Sequence, residues 1–227
     1  MTRDESDLLP RATTPIQPVP PAPRADEDDE EPAEGQPEKP APRESRAFVE
    51  QALLKNRMLM ITGPIDDTLA RYVAGRVLVM EAEHPEKPIS VFINSPGGSA
   101  DSGFAIYDML RFVRCPVRTV VNGLCASAAI LVFLAGRKGM RYSLPESRFL
   151  IHQPSTYGRG TASDLDITAR EILKLRERYN KIIAAETGQP EKRVLEDAAR
   201  DFWLNAKEAL EYGLIGKVVK THADLEE

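Results

Sequence analysis

A chain of 227 residues with 42% apolar side chains is long enough to bury one sizeable core, but its formal charge of −5 is unevenly spread. Residues 1 to 45 hold ten of the eighteen prolines and twelve acidic against five basic residues, a local net charge of −7, while the remainder carries +2. A nearly neutral body argues against nucleic acid as the main partner.

The run from Asp26 to Glu31 repels itself, and its proline-rich flanks can neither continue a helix nor donate to a sheet. Residues 1–45 therefore read as a disordered acidic tail, a solvated spacer or leader. Residues 46–221 read as the folded domain and 222–227 as a short flexible end. Met1-Thr2-Arg3-Asp4-Glu5 leads into no apolar segment of the secretory kind, so a cytoplasmic location is expected.

From Arg57 the pattern alternates between strand and helix. Arg57 to Gly63 predicts a strand, and Asp66 or Asp67 can cap a helix through Leu69, Val73, Val77 and Met80. Ile89 to Asn94 predicts the next strand, broken at Ser95-Pro96-Gly97-Gly98, with a helix from Asp101 to Val113. Val117 to Val121 predicts a third strand, entering a helix around Ser127. Three such units in series favour a parallel sheet covered by helices. Beyond them the sequence predicts a strand at 149–152, a long amphipathic helix over 163–185, a shorter one over 190–199 and a last strand at 217–219.

The eighteen uncharged residues between Arg118 and Arg137 are long enough to cross a bilayer. Asn122, Gly123 and Ser127 interrupt them, however, and Thr119-Val120-Val121 has the β-branched character of a buried strand. A strand followed by a core helix, and no membrane contact, is the expectation. Without a secretory context Cys115 and Cys125 read as free thiols.

Of three histidines, His84 lies in a polar turn and His222 near a charged end, whereas His152 interrupts the apolar run Phe149-Leu150-Ile151. A catalytic base needs a shaped, partly dry site, so His152 is the candidate. Upstream stands Ser127 at a strand-to-helix junction among small neighbours, and downstream stands Asp201, so serine, histidine and aspartate occur in that order. Each piece has a plainer reading. A serine flanked by alanines can be a tight packing position. Gly97-Gly98 can be only a sharp turn, or can let amides approach a substrate carbonyl. No G-x-S-x-G surrounds Ser127, and the order matches none of the common serine hydrolases.

Five segments carry a resemblance to a known family: Ile93-Asn94-Ser95-Pro96-Gly97-Gly98, Gly123-Leu124-Cys125-Ala126-Ser127, Leu144 to Pro154, Ala169-Arg170-Glu171-Ile172-Leu173-Lys174, and Glu211-Tyr212-Gly213-Leu214-Ile215. In this order, from about Ala47 to Val219, the chain resembles the proteolytic subunits of Clp proteases, ClpP. The resemblance implies a crotonase-like α/β fold, a βα superhelix with a parallel sheet and a protruding handle helix after Ala162. It places the nucleophile on Ser127, the base on His152, the acid on Asp201, and the oxyanion-hole amides on Gly98 and Ala128. It further implies heptameric rings stacked into a tetradecamer, and substrates delivered by an AAA+ unfoldase of the ClpX or ClpA/ClpC type. No metal or other cofactor is expected, because ATP would be used by that partner and this chain has no G-x-x-x-x-G-K-[ST] loop.

Three other readings remain open at this stage. A ClpP-like scaffold subunit of a mixed ring would be non-catalytic, a crotonase-type acyl-CoA enzyme would not need Ser127, and a serine–lysine peptidase would use a base such as Lys138.

Overall fold

The computed structural model describes residues 43–225. The predicted tail falls almost wholly outside this range. The first described element, helix α1 (Arg43–Lys55), begins just inside its last three residues and sends Leu54 against the core.

Strand β1 (Met58–Thr62) buries Leu59 and Ile61 on one face and stops at Gly63, whose φ of 76° suits a residue without a Cβ. Helix α2 (Asp67–Glu83) is capped by the Asp66 carboxylate, which accepts from the Leu69 amide at 2.8 Å. Its Val73, Val77 and Met80 form the buried stripe that helical spacing predicted. Strand β2 (Ile89–Ser95) buries every second residue, and helix α3 (Ala100–Phe112) starts from a Ser99 cap.

Strand β3 (Val117–Ala126) runs five residues beyond the predicted end at Val121. The polar pair Asn122-Gly123 breaks the apolar pattern but not the strand: Gly123 takes φ 133°, and a Cβ there would meet the Asn94 side chain at 2.8 Å. The strand bends at this point, and its register with β2 shifts between Ile93 and Ser95. Helix α4 (Ala128–Leu134) follows and is buried along its whole length, as expected of a core segment. Among the described residues no helix is long and apolar enough to cross a membrane.

Strands β4 (Arg141–Ser143) and β5 (Arg148–Ile151) come next, then helix α5 (Ala162–Thr187) and helix α6 (Glu191–Asp197). The chain continues through strand β6 (Phe202–Asn205), helix α7 (Ala206–Tyr212), strand β7 (Lys217–Val218) and a final 3₁₀ turn at His222–Leu225. The first ten residues of α5 are all exposed, and only its second half buries Tyr179, Asn180, Ile183 and Ala184. The helix thus protrudes as a handle from a body that holds its base.

The sheet runs β1-β2-β3-β4-β7 in parallel order, with the helices packed over the face that carries Leu59, Val91 and Val121. The bend in β3 splits one of its edges between two partners. Thr119 to Val121 pair with β4, and Leu124 to Ala126 pair with β5. Strand β5 then takes β6 antiparallel on its other side. Parallel β3–β5 and antiparallel β5–β6 meet at the end of the sheet where β3 gives way to α4.

Candidate active site

Strand register alone brings three of the predicted residues together. Ala126 of β3 pairs with Leu150 of β5, and the Ser127 amide donates to the Leu150 carbonyl at 2.9 Å, so Ser127 and His152 leave the ends of neighbouring parallel strands. Across the antiparallel pair, Ile151 faces Phe202, so the next positions outward are His152 and Asp201. Their side chains meet with Nδ1 3.1 Å from Oδ1. A neutral imidazole held this way keeps its proton on Nδ1 and offers Nε2 as an acceptor.

Ser127 sits on a strained turn. Its φ of 55° and ψ of −123° lie where non-glycine residues rarely go, and its side chain makes no cap bond to α4. Such strain persists only where surroundings enforce it, and it is characteristic of functional sites. Here a strand ends and a helix begins within one residue, which pushes the hydroxyl out of the sheet. Its amide serves the sheet, and its carbonyl accepts from the Ile130 amide at 2.9 Å.

Gly98 reaches the same place from β2. Ile65 donates to the Gly97 carbonyl and accepts from the Ser99 amide, both at 2.8 Å. In a parallel ladder this turns the Gly98 N–H away from Ile65. A Cβ at Gly98 would fall 2.3 Å from the Ile65 carbonyl oxygen, so the close approach requires glycine. The Ala128 N–H is the first amide of α4, without a helical acceptor and at the positive end of the helix dipole.

Gly98, Ser127, Ala128 and His152 border one cavity of ≈190 Å³, whose apolar walls are Phe104, Leu131 and Leu175. Asp201 stays outside it, behind the imidazole. The set comprises a hydroxyl, a carboxylate-oriented base, two amides and an apolar recess. It can attack a carbonyl and stabilise the oxyanion that forms.

Lys138 does not join this group. Its ammonium donates to the Ala185 carbonyl at 2.9 Å, and it is absent from the cavity wall. Cys125 is fully buried and burial pushes its thiol far above the ordinary range, which leaves it an inert packing group two residues from the serine. Cys115 is likewise free and buried. Among the described residues no three His, Cys, Asp or Glu side chains gather in a way that could hold a metal ion.

Two residues of the site were not singled out for the roles they take. Gly97 packs against Ser127, and the signal was its position in Pro96-Gly97-Gly98. Tyr179 is the first buried residue of α5 and reads as core, yet it lines the cavity and its hydroxyl donates to the Ser127 carbonyl at 3.1 Å.

Comparison with known proteins gives one consistent result. The family described as Clp protease matches residues 42–222. The chain is 46% identical over 177 residues to the ATP-dependent Clp protease proteolytic subunit 2 of Treponema denticola, a match covering 78% of this chain and 88% of the relative. A solved structure of a ClpP1 mutant from Listeria monocytogenes superposes with a TM-score of 0.73 at 38% identity, covering 78% of this chain and 99% of the other. With a peptidase-like cavity at the sheet end and this likeness along most of its length, the chain belongs to the Clp protease family as a proteolytic subunit.

Proposed function

We propose that Ser127, His152 and Asp201 form the catalytic triad of this peptidase, with the amides of Gly98 and Ala128 as its oxyanion hole. Ser127 Oγ attacks the carbonyl carbon of a peptide bond as its proton passes to His152 Nε2. The negative charge on the carbonyl oxygen falls between the two amides. The C–N bond then breaks, His152 returns the proton to the leaving amine, and Asp201 balances the transient imidazolium across the 3.1 Å contact. Water gives a proton to the same histidine as it adds to the ester carbonyl; the bond between that carbon and Ser127 Oγ then breaks, Oγ takes the proton back, and the second product leaves as a carboxylic acid.

The apolar walls of the cavity suit the side chain that precedes the scissile bond, and Ala128 leaves more room there than a longer side chain would. Substrate lies extended against the Gly98 edge as an added strand. No metal or other cofactor takes part. The reading extends to heptameric rings paired into a tetradecamer, in the cytoplasm, with unfolded chains delivered by an ATP-driven AAA+ unfoldase.

The observation that supports the proposal is the pair of strand registers that puts Ser127 and His152 at the ends of neighbouring strands, with His152 Nδ1 3.1 Å from the Asp201 carboxylate. Labelling the purified protein with a fluorophosphonate and mapping the adduct tests it. A single adduct on Ser127, lost in His152→Ala, is the expected result. An unlabelled Ser127 would support a scaffold subunit or an acyl-transfer enzyme without a serine nucleophile.

A further inference from the structure

We infer that Tyr179 is a positioning residue: through its hydrogen bond to the Ser127 carbonyl oxygen it fixes the Ser127–Ala128 peptide plane and so aims the Ala128 amide into the cavity. The inference rests on the proposal that this amide receives the oxyanion. A trans peptide is planar, with its C=O and N–H pointing in opposite directions. Whatever holds the Ser127 oxygen therefore also directs the Ala128 hydrogen.

The need for a hold is specific to this peptide. Ser127 occupies φ 55° and ψ −123°, and α4 has only seven residues to keep its first turn in place. From within that turn the carbonyl receives only the Ile130 amide. The Tyr179 hydroxyl, 3.1 Å away, is anchored on a different element, the buried half of α5. Tyr179 is 5% exposed, so water cannot readily replace this bond. Burial, with smaller effects from Cys125 and Tyr212, pushes the phenol far above its ordinary range, so it remains a donor at every working pH.

The test uses the full-length protein with Tyr179→Phe, which keeps the ring and removes one oxygen. The kcat for a fluorogenic peptide should fall ~5–10-fold, about the value of one buried hydrogen bond, with KM unchanged. Two inhibitors then separate positioning from general loosening. A peptide boronate forms a tetrahedral adduct whose oxygen lies between the two amides, so its affinity should fall by the same factor as kcat/KM. A peptide with a reduced, carbonyl-free scissile bond offers those amides no oxygen, and its affinity should not change. Equal weakening of both inhibitors, or a raised KM with kcat intact, overturns the inference. Ser127→Ala run in parallel distinguishes the two levels. If it is inactive while Tyr179→Phe is unimpaired, the positioning role fails alone; if it remains active, the nucleophile assignment beneath it fails.

Discussion

Gly97 and Ser127 approach so closely that a Cβ on the glycine would lie 2.7 Å from the serine Cβ, with the Ala126 carbonyl oxygen at 2.5 Å. Gly97 also takes φ 88°, so glycine is required there on two independent grounds. The contact runs between separate segments: the turn after β2 supports the strained residue between β3 and α4.

Gly97→Ala should therefore displace Ser127. The added methyl meets backbone, which cannot rotate aside, and we expect a cost of about 2–4 kcal/mol in stability with a loss of peptidase activity of ~100-fold or more. Gly188→Ala is the matched control. Gly188 has a φ of 81° but nothing within 4 Å of its absent Cβ, so that change should cost only about 1 kcal/mol and leave the rate intact. Urea unfolding and cleavage of a fluorogenic peptide measure both effects, and equal rates in the two variants would show that Gly97 does not hold Ser127.

Ser127→Ala and His152→Ala should each lower kcat by on the order of 10⁴-fold or more while leaving the secondary structure unchanged. Because the two act in one proton transfer, the double variant should be no worse than either single one. Asp201→Asn should keep the 3.1 Å contact but favour the wrong imidazole tautomer, and should also be severely impaired. Steady-state kinetics on one peptide check all three, and additive losses in the double variant would argue against a coupled pair.

The repeating units were legible because their signals are local. Val73, Val77 and Met80 show helical spacing, Ile89, Val91 and Ile93 alternate, and Gly and Pro mark the joins. Ser127 and His152 could be nominated because a serine at a junction and a histidine in an apolar run are both out of place, and Asp201 followed only from its position downstream of them. Beyond the family resemblance, no local pattern shows how they come together, since that depends on the split edge of β3, and the polar Asn122-Gly123 suggested that the strand had already ended. Strand β4 opens on the buried Arg141, and β6 keeps Trp203 44% exposed, so neither shows the expected pattern. Helix α7 did carry a readable signal: Asn205 and Glu208 form a capping box. The turn at Ser127 lacked the flanking glycines of G-x-S-x-G because the space comes from elsewhere. Gly97 supplies it from the turn after β2, and Gly103 from α3, where a Cβ would lie 3.1 Å from that of Ala128.

Cys125 should behave as packing despite its place two residues before Ser127. Its burial raises the thiol pKa, so the reactive thiolate is disfavoured across the neutral range rather than promoted. Iodoacetamide at pH 8 should leave Cys125 unmodified in the folded protein and modify it after denaturation. Cys125→Ala should retain most peptidase activity. Mass spectrometry of the alkylated peptides checks the first expectation, and rapid native labelling of Cys125 would contradict the burial argument.

Arg141 connects the ends of two helices that converge on the site. Its guanidinium donates to the Leu134 and Gly136 carbonyls at the end of α4, both at 2.8 Å, and to the Glu186 carbonyl near the end of α5 at 3.2 Å. It also pairs with the Glu186 carboxylate, which has a second, longer contact with Arg111 at 3.6 Å. Arg141 itself is 3% exposed, so water does not readily take its place at these acceptors, and a cation at two helix C-termini also answers their dipoles. Arg141→Met should cost about 3–5 kcal/mol, because it leaves a largely buried carboxylate with only the longer Arg111 contact and several carbonyls without their donor. In a chain of this size that corresponds to a fall in thermal midpoint of roughly 10 °C. Arg141→Lys should recover only part of the loss, since an ammonium cannot reproduce the planar fork. The double variant Arg141→Met with Glu186→Gln should be more stable than Arg141→Met alone, because it removes the stranded charge. If the double variant is instead less stable by the full sum of both single effects, the pair is uncoupled and the carbonyl bonds alone account for the anchoring.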